Sequence, residues 1–181
     1  APPTVMADPR AYIARKADRL RLAAMLHDVG KVGVPDAILK KPGRLDREEF
    51  ETMKLHTIDG ARLFSGIESE LDQMCYDISL HHHEKWDGSG YPGLCGDISR
   101  EVQLPGRALA GHSIPLPARI AALADVYDAL VSRRVYKDAW PEEKVLDLIR
   151  EQSGKYFDPE LVEVFFEIHP LILAIRERYT G

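Results

Sequence analysis

The chain has 181 residues, 45% of them hydrophobic and 29% charged, which is enough for one domain with a real core and too apolar for a disordered segment. Its net charge of −5 argues against general binding to DNA or to an anionic membrane, but leaves room for a small basic pocket around one phosphate. Two cysteines, Cys75 and Cys95, fit a reducing compartment. No apolar run reaches the ~18 residues of a spanning helix, and the N-terminus has no basic-then-apolar leader, so a cytoplasmic location is expected.

Asp8-Pro9 pairs an N-cap with proline at the first helical position, and Ile13, Ala17, Leu20, Ala24 and His27 then recur at helical spacing until Gly30. Lys41-Pro42-Gly43 is a turn. Asp46 with Glu49 makes a capping box and opens a helix on which Phe50, Met53, His56, Gly60 and Leu63 share one face. After Ser65-Gly66, a further helix carries Leu71, Met74, Cys75, Ile78 and His82 on one stripe. Periodicity stops in the glycine-rich loop from Glu84 to Pro92, and residues 93–113 read as an insertion running over the surface. Pro117 starts a helix from Ala118 to Val131 that is small and apolar nearly all round, and hence expected to be buried. A helix from Pro141 to Gln152 follows. The last helix opens at Asp158-Pro159 and is expected to bend or break at Pro170. The class is all-α, a compact helical bundle forming a single domain over residues 1–181.

His27 and Asp28 stand side by side at the end of an apolar helical run, followed by Val29-Gly30-Lys31. Neighbours there can reach one cation together, and a carboxylate has a second oxygen left to bridge to another. For an isolated pair of this kind, a helix cap is the favoured reading. His56 on an apolar face is by itself more often a hydrogen-bonded core residue than a ligand. Asp125 is odder, because Ala121, Ala122, Val126 and Ala129 surround it, and a buried carboxylate must be paired, protonated or bound to metal. His82-His83 follow an apolar stripe and cannot both be core. Together His27, Asp28, His56, His82, His83 and Asp125 bring four imidazoles and two carboxylates to four helices, and one shared polynuclear metal centre accounts for all six. A site of nitrogen and oxygen donors with carboxylates suits iron, manganese or zinc. Paired ions of this kind serve phosphoryl displacement. Lys31, and Arg134 with Lys137, would meet the phosphate; for Arg133, Arg134 and Lys137 a solvated, dipole-matched cluster stays open from spacing alone.

The pattern His27-Asp28-Val29-Gly30-Lys31 joined to His82-His83-Glu84-Lys85-Trp86-Asp87-Gly88-Ser89-Gly90-Tyr91-Pro92 resembles the HD-GYP family. The resemblance continues through Pro42-Gly43, His56 with Gly60, Ile114-Pro115-Leu116, Ala124 to Leu130, Arg134 with Tyr136-Lys137, and Phe157-Asp158-Pro159. It implies an HD-superfamily helical fold around two divalent ions, or three, with iron or manganese first and zinc next. It also implies hydrolysis of cyclic di-GMP to linear pGpG, and in some members on to GMP, in bacterial second-messenger signalling. By motif, His27, Asp28, His56, His82, His83 and Asp125 become metal ligands with Asp28 as the bridge and, with Lys31, the catalytic pair. Lys31, Tyr91, Arg134 and Lys137 become substrate-binding. His81 is left out, as outside the first ring of ligands or exposed.

Two departures stand out. Relatives carry a further histidine, and in trinuclear members a glutamate, on an upstream helix, whereas no histidine precedes His27, so that helix reads as missing and the His27 side as one ligand short. The insertion after Gly93 is longer than the family's short link and, with Gly96, Gly106 and Gly111 as hinges, is expected to form a mobile flap over the nucleotide site. The expected partners are cyclic di-GMP, additional sensory or regulatory domains or a second copy, and GGDEF domains. The competing reading is a catalytically weak module that binds nucleotide or partners. A third, a phosphohydrolase acting on dGTP or ppGpp, is disfavoured by the GYP loop.

Overall fold

The computed structural model describes residues 8–100, 102, 104, 106–132 and 139–179. Among them the regular elements are helices, α1 Pro9–Met25, α2 Asp36–Leu39, α3 Arg47–Lys54, α4 His56–Arg62, α5 Glu70–His81, α6 Leu116–Val131, α7 Glu142–Glu151 and α8 Pro159–Tyr179. Only isolated bridges, Leu94 with Arg107 and Ser153 with Phe157, interrupt the all-α character of the described residues.

Local chemistry accounts for the helix starts. The Asp8 carboxylate accepts from the Arg10 N–H at 3.0 Å, and Pro9 enters at the position where a missing N–H costs nothing. Asp46 and Glu49 form the reciprocal capping box, at 2.9 and 2.8 Å. Ser69 caps α5 by accepting from the Asp72 N–H at 3.1 Å.

The helix expected to run from residue 46 to 63 is in fact two, α3 and α4, meeting at Leu55. Side chains explain the break. The His56 ring takes the Met53 carbonyl at 2.7 Å and the Thr57 hydroxyl takes the Lys54 carbonyl at 2.9 Å, so these oxygens are drawn away from the helical ladder. The expected break at Pro170 does not occur, and α8 passes through that residue as one helical run. Nor is α6 buried all round, since Ala124 and Asp128 are exposed, and on α1 it is Ala23, not Ala17, that packs inward.

Two core clusters set the frame. Leu20 and Ala23 of α1, Met74, Cys75 and Ile78 of α5 and Ala121 of α6 form one. Leu123 and Tyr127 of α6, Val145 and Ile149 of α7, and Phe157, Leu161, Val162 and Phe165 form the other. Each fully buried aliphatic or aromatic side chain contributes about 1.5–3 kcal/mol. α6 belongs to both clusters and therefore fixes Asp125 relative to α1 and α5.

The insertion is not free. Leu94 and Arg107 exchange backbone hydrogen bonds at 2.8 and 3.2 Å, and Gly111 N–H donates to the Trp86 carbonyl at 2.9 Å. Its far end is held by Arg62 of α4, which donates to the carbonyls of Ile98 and Arg100, each at 2.7 Å. Ile98 itself is buried with Ile58, Ala61 and Leu80. The described part of the segment is thus packed against α4 and α5.

Candidate metal centre

His27 sits just past the C-terminus of α1, His56 begins α4, and His82 caps α5. Helix ends leave carbonyls without an N–H partner, and these rings use them. His27 Nδ1 donates to the Ala24 carbonyl at 2.7 Å, His56 Nδ1 to the Met53 carbonyl at 2.7 Å and His82 Nδ1 to the Ile78 carbonyl at 2.9 Å. A carbonyl only accepts, so Nδ1 carries the proton in all three and Nε2 faces the centre.

Asp28 lies where these nitrogens converge. Its Oδ1 is 3.4 Å from His56 Nε2 and 3.7 Å from His82 Nε2, and its Oδ2 is 3.3 Å from His27 Nε2 and 2.5 Å from Lys31 Nζ. Asp125 reaches the same place from α6, with its carboxylate 3.6 Å from His27 Nε2. Contrary to the expectation from its apolar neighbours in sequence, Asp125 is only half-buried, at 35% exposure. His83 packs at 4.0 Å between ring centroids from His82, and Tyr91 stacks on it at 4.8 Å. One donor atom each from Asp28, His56, His82 and His83 falls within 4.8 Å of the other three.

The electrostatics divide the centre in two. Hydrogen bonding to Asp125 and then Asp28 pushes His27 up to about 10, outweighing its burial. Burial pushes His56 down to about 4 and, with the neighbouring His82 and His56 rings, His83 down to about 2. Burial opposes the charge on Asp28, but the facing His27, His82 and Lys31 groups prevail and hold its carboxyl well below the usual carboxylate range. The His27 contact likewise lowers Asp125.

Two observations fit a cation to the His56 side. Asp28 Oδ1 is buried without a hydrogen-bond donor, a costly state for a carboxylate oxygen. His56 Nε2 and His82 Nε2 face each other at 3.5 Å while both rings spend their Nδ1 protons on carbonyls, so in neutral rings two lone pairs point at one spot. Ligands of one ion at ~2.1 Å lie at most ~4.2 Å apart, against the 4.8 Å within which these four donors fall, so holding an ion would draw them inward.

Other residues hold this arrangement. Glu84, fully buried, accepts from the Gly93 N–H at 2.5 Å and so ties the start of the glycine-rich loop to its end. A Cβ on Gly90 would lie 2.3 Å from the Lys85 nitrogen, which is why the loop needs glycine there. Trp86 and Asp87 donate to the carbonyls of Tyr156 and Lys155 at 3.0 and 2.8 Å. His81, one residue before the pair, is buried and turned to Glu84 at 3.5 Å, so it is not exposed. Arg134 and Lys137 lie outside the described residues. Sequence reasoning did not single out Lys54, whose ammonium sits 5.6 Å from the Tyr91 ring, or Tyr156 against the loop. Lys54 follows Phe50 by four residues, a helical pairing that was readable.

Two HD-domain family models match the chain, one over residues 7–130 and one over residues 100–161. This is an HD-domain protein of the HD-GYP family. It is 44% identical over 174 residues to a cyclic di-GMP phosphodiesterase of Vibrio cholerae, covering 93% of this chain and 32% of that protein. It is also 44% identical over 159 residues to a cyclic di-GMP phosphodiesterase of Thermotoga maritima, covering 88% and 39%. A 3'3'-cGAMP-specific phosphodiesterase 2 of Vibrio cholerae is 42% identical over 161 residues, covering 89% and 28%. This HD-GYP chain spans about a third of the length of these relatives. No helix among its described residues is long and apolar enough to cross a membrane.

Proposed function

We propose that this domain is a metal-dependent phosphodiesterase that opens cyclic di-GMP to linear pGpG. The observation that carries the reading is the convergence of Asp28 Oδ1 with the Nε2 atoms of His56 and His82, beside His83, in a pocket that already fixes the tautomers. Asp28, His56, His82 and His83 would hold one divalent ion, and His27, Asp125 and the second oxygen of Asp28 another. Iron or manganese suits this donor set, with zinc next. When bound, such ions supply an activated water and neutralise phosphate oxygens.

The chain's own groups have separate tasks. Asp28 spans the two halves of the centre. Lys31 Nζ stands 2.5 Å from Asp28 and would be free to meet a phosphate oxygen when Asp28 holds a cation. Tyr91, stacked on His83, walls the site, and burial raises its hydroxyl well above the ordinary value, keeping it a neutral hydrogen-bond donor. By motif, Arg134 and Lys137 add charge for the second phosphate. Hydrolysis adds water to phosphorus, breaks one ester P–O bond and returns a proton to the leaving sugar oxygen.

Anaerobically purified protein loaded with Mn(II) or Fe(II) tests the reading against cyclic di-GMP, 3'3'-cGAMP, dGTP and ppGpp. Turnover of cyclic di-GMP, lost in His82→Ala together with metal, supports it. Tight binding of cyclic di-GMP without turnover would instead favour a nucleotide-binding regulatory module. Preference for 3'3'-cGAMP would move the substrate within the same chemistry.

A further inference from the structure

Phe50 stands out beyond the metal ligands. It lies on α3 with 44% of its surface exposed, among Glu48, Glu49 and Glu51, and neither it nor Tyr91 belongs to a hydrophobic core cluster. Its ring nevertheless has a defined pose. It meets Tyr91 edge to face at 6.1 Å and 82°, and Tyr91 in turn stacks on His83 at 4.8 Å and 27°. The aromatic series His83, Tyr91, Phe50 therefore leads from the centre of the site out to solvent.

Lys54 fixes the outer end of that series. Its ammonium is 5.0 Å from the Phe50 centroid and 5.6 Å from that of Tyr91, and it is tethered to Glu51 at 2.8 Å. The Lys54 side chain is only 14% exposed, so the cation covers part of the two rings while Phe50 keeps open surface. A ring oriented in this way, one residue's width from a metal-centre wall and unused by the core, leaves 44% of its surface to solvent.

We infer that Phe50 is the stacking surface for a purine base of the substrate. The inference rests on the phosphodiesterase reading above. A cyclic dinucleotide held by one phosphate at the His83 side must carry a base outward past Tyr91, and every base offers a π face to an aromatic ring. Lys54, with an N–H left after its Glu51 contact, is suited to the O6 and N7 acceptors of guanine at the base's edge.

The test is titration and steady-state kinetics of the metal-loaded chain with cyclic di-GMP, comparing wild type with Phe50→Ala, Phe50→Leu and Phe50→Trp and measuring metal content in each. Phe50→Ala and Phe50→Leu are expected to weaken binding and raise KM roughly tenfold or more with metal content unchanged, and Phe50→Trp to restore both. Leucine keeps the bulk without the π face, so recovery by tryptophan and not by leucine separates stacking from packing. If wild type turns over cyclic di-GMP and Phe50→Ala leaves KM unmoved, the stacking assignment is wrong and the phosphodiesterase reading stands. If wild type binds without hydrolysing and the binding depends on Phe50, the assignment holds and the enzymatic reading falls. Absence of any binding overturns both.

Discussion

Gly30, in the turn after the His27–Asp28 pair, meets Gly60 of α4 backbone to backbone: a Cβ on Gly30 would lie 2.3 Å from the Gly60 nitrogen and 1.9 Å from the His56 carbonyl oxygen. Neither neighbour is a flexible side chain that could swing away. This contact seats the Asp28 turn against α4, and it is what leaves Asp28 Oδ1 3.4 Å from His56 Nε2. The glycine of the HD motif is therefore part of the candidate metal centre's construction although it offers no ligand.

Gly30→Ala should accordingly cost about 3 kcal/mol of stability through overpacking and lower bound metal below stoichiometric. Gly66→Ala is the control, because a Cβ there meets nothing within 4 Å, and its stability should stay within about 0.5 kcal/mol of wild type. Thermal unfolding with elemental analysis checks both. Full metal content in folded Gly30→Ala would show that the turn can re-seat without losing the site.

Replacing ligands should split the centre from its surroundings. His56→Ala and His82→Ala each remove a pinned Nε2 donor and should lower metal content, with tenfold or greater loss of affinity. His81→Gln sits next in sequence, yet its ring faces Glu84, so metal content should remain at the wild-type level. Equal metal loss in all three would mean that the helix end, not the individual ring, governs binding.

The two halves of the centre should bind metal with different pH dependences. In the metal-free protein His27 is pushed up to about 10 by Asp125 and Asp28, so at neutral pH it must release a proton before it can ligate. His56, down to about 4, and His83, down to about 2, are already neutral there and have none to give. Metal should fill the Asp28, His56, His82, His83 set first, whereas affinity at the His27 and Asp125 side should fall about tenfold per unit of pH lowered below 10. Calorimetry in buffers of different ionisation enthalpy should find about one proton released with the second ion. The metal-free fold shows the converse sign. His27 is raised in the folded state, so its contribution to stability is complete below about 6.5 and is lost as pH rises towards 10.

Away from the metal centre, Glu142 joins three helices. It accepts from the Tyr127 hydroxyl at 2.7 Å, faces His169 Nε2 at 2.8 Å and pairs with Arg176 at 2.7 Å. Burial opposes its charge, yet these three contacts hold its carboxyl below the ordinary value. Its contribution is therefore present above the unfolded value near 4.3 and lost as pH falls through the lower folded one. Glu142→Gln should cost about 1.5–3 kcal/mol at pH 7, measured by urea unfolding, with the gap from wild type closing in acid. A gap that persists at pH 3 would assign the loss to packing.

How much of this was readable depends on what the signal was made of. His27, Asp28, His56, His82, His83 and Asp125 stood out as candidate ligands because ligand chemistry restricts residue type; the structure groups donor atoms of Asp28, His56, His82 and His83 and sets His27 with Asp125 beside them. The pinning of Nδ1 by Ala24, Met53 and Ile78 was not legible, because any residue supplies a carbonyl and only the helix end frees it. The break at Leu55 was hidden for a related reason: the heptad-like face from Phe50 to Leu63 continues across it, and hydrogen bonds from His56 and Thr57, not a change of pattern, make the break. Of the bend or break expected at Pro170, the break does not occur, because tertiary packing of α8 on α6 and α7 outweighs one lost hydrogen bond. Arg134 and Lys137 lie outside the described residues, so their phosphate role stays a proposal from motif.

The insertion is where sequence and structure part most clearly, and it supports a final prediction. Glycines at 96, 106 and 111 with no apolar period suggested a flap, since a segment without a repeating face has no evident way to pack. Ile98 leads the packing instead, with Cys95, Val102 and Leu104 partly buried beside it. Ile98, 6% exposed, enters the cluster of Ile58, Ala61 and Leu80, and Arg62 holds the backbone on either side of it. Ile58 and Ala61 belong to α4, which begins at the candidate ligand His56, and Leu80 stands two residues before His82. The insertion thus braces the two helices that carry the His56 side of the centre. Ile98→Ala should leave a cavity costing about 2–5 kcal/mol, with reduced thermal stability and metal retention and a KM for cyclic di-GMP that changes little once metal is saturating. A flap would give the opposite result, an altered KM at unchanged stability. Thermal unfolding run beside steady-state kinetics at saturating Mn(II) distinguishes a brace from a lid.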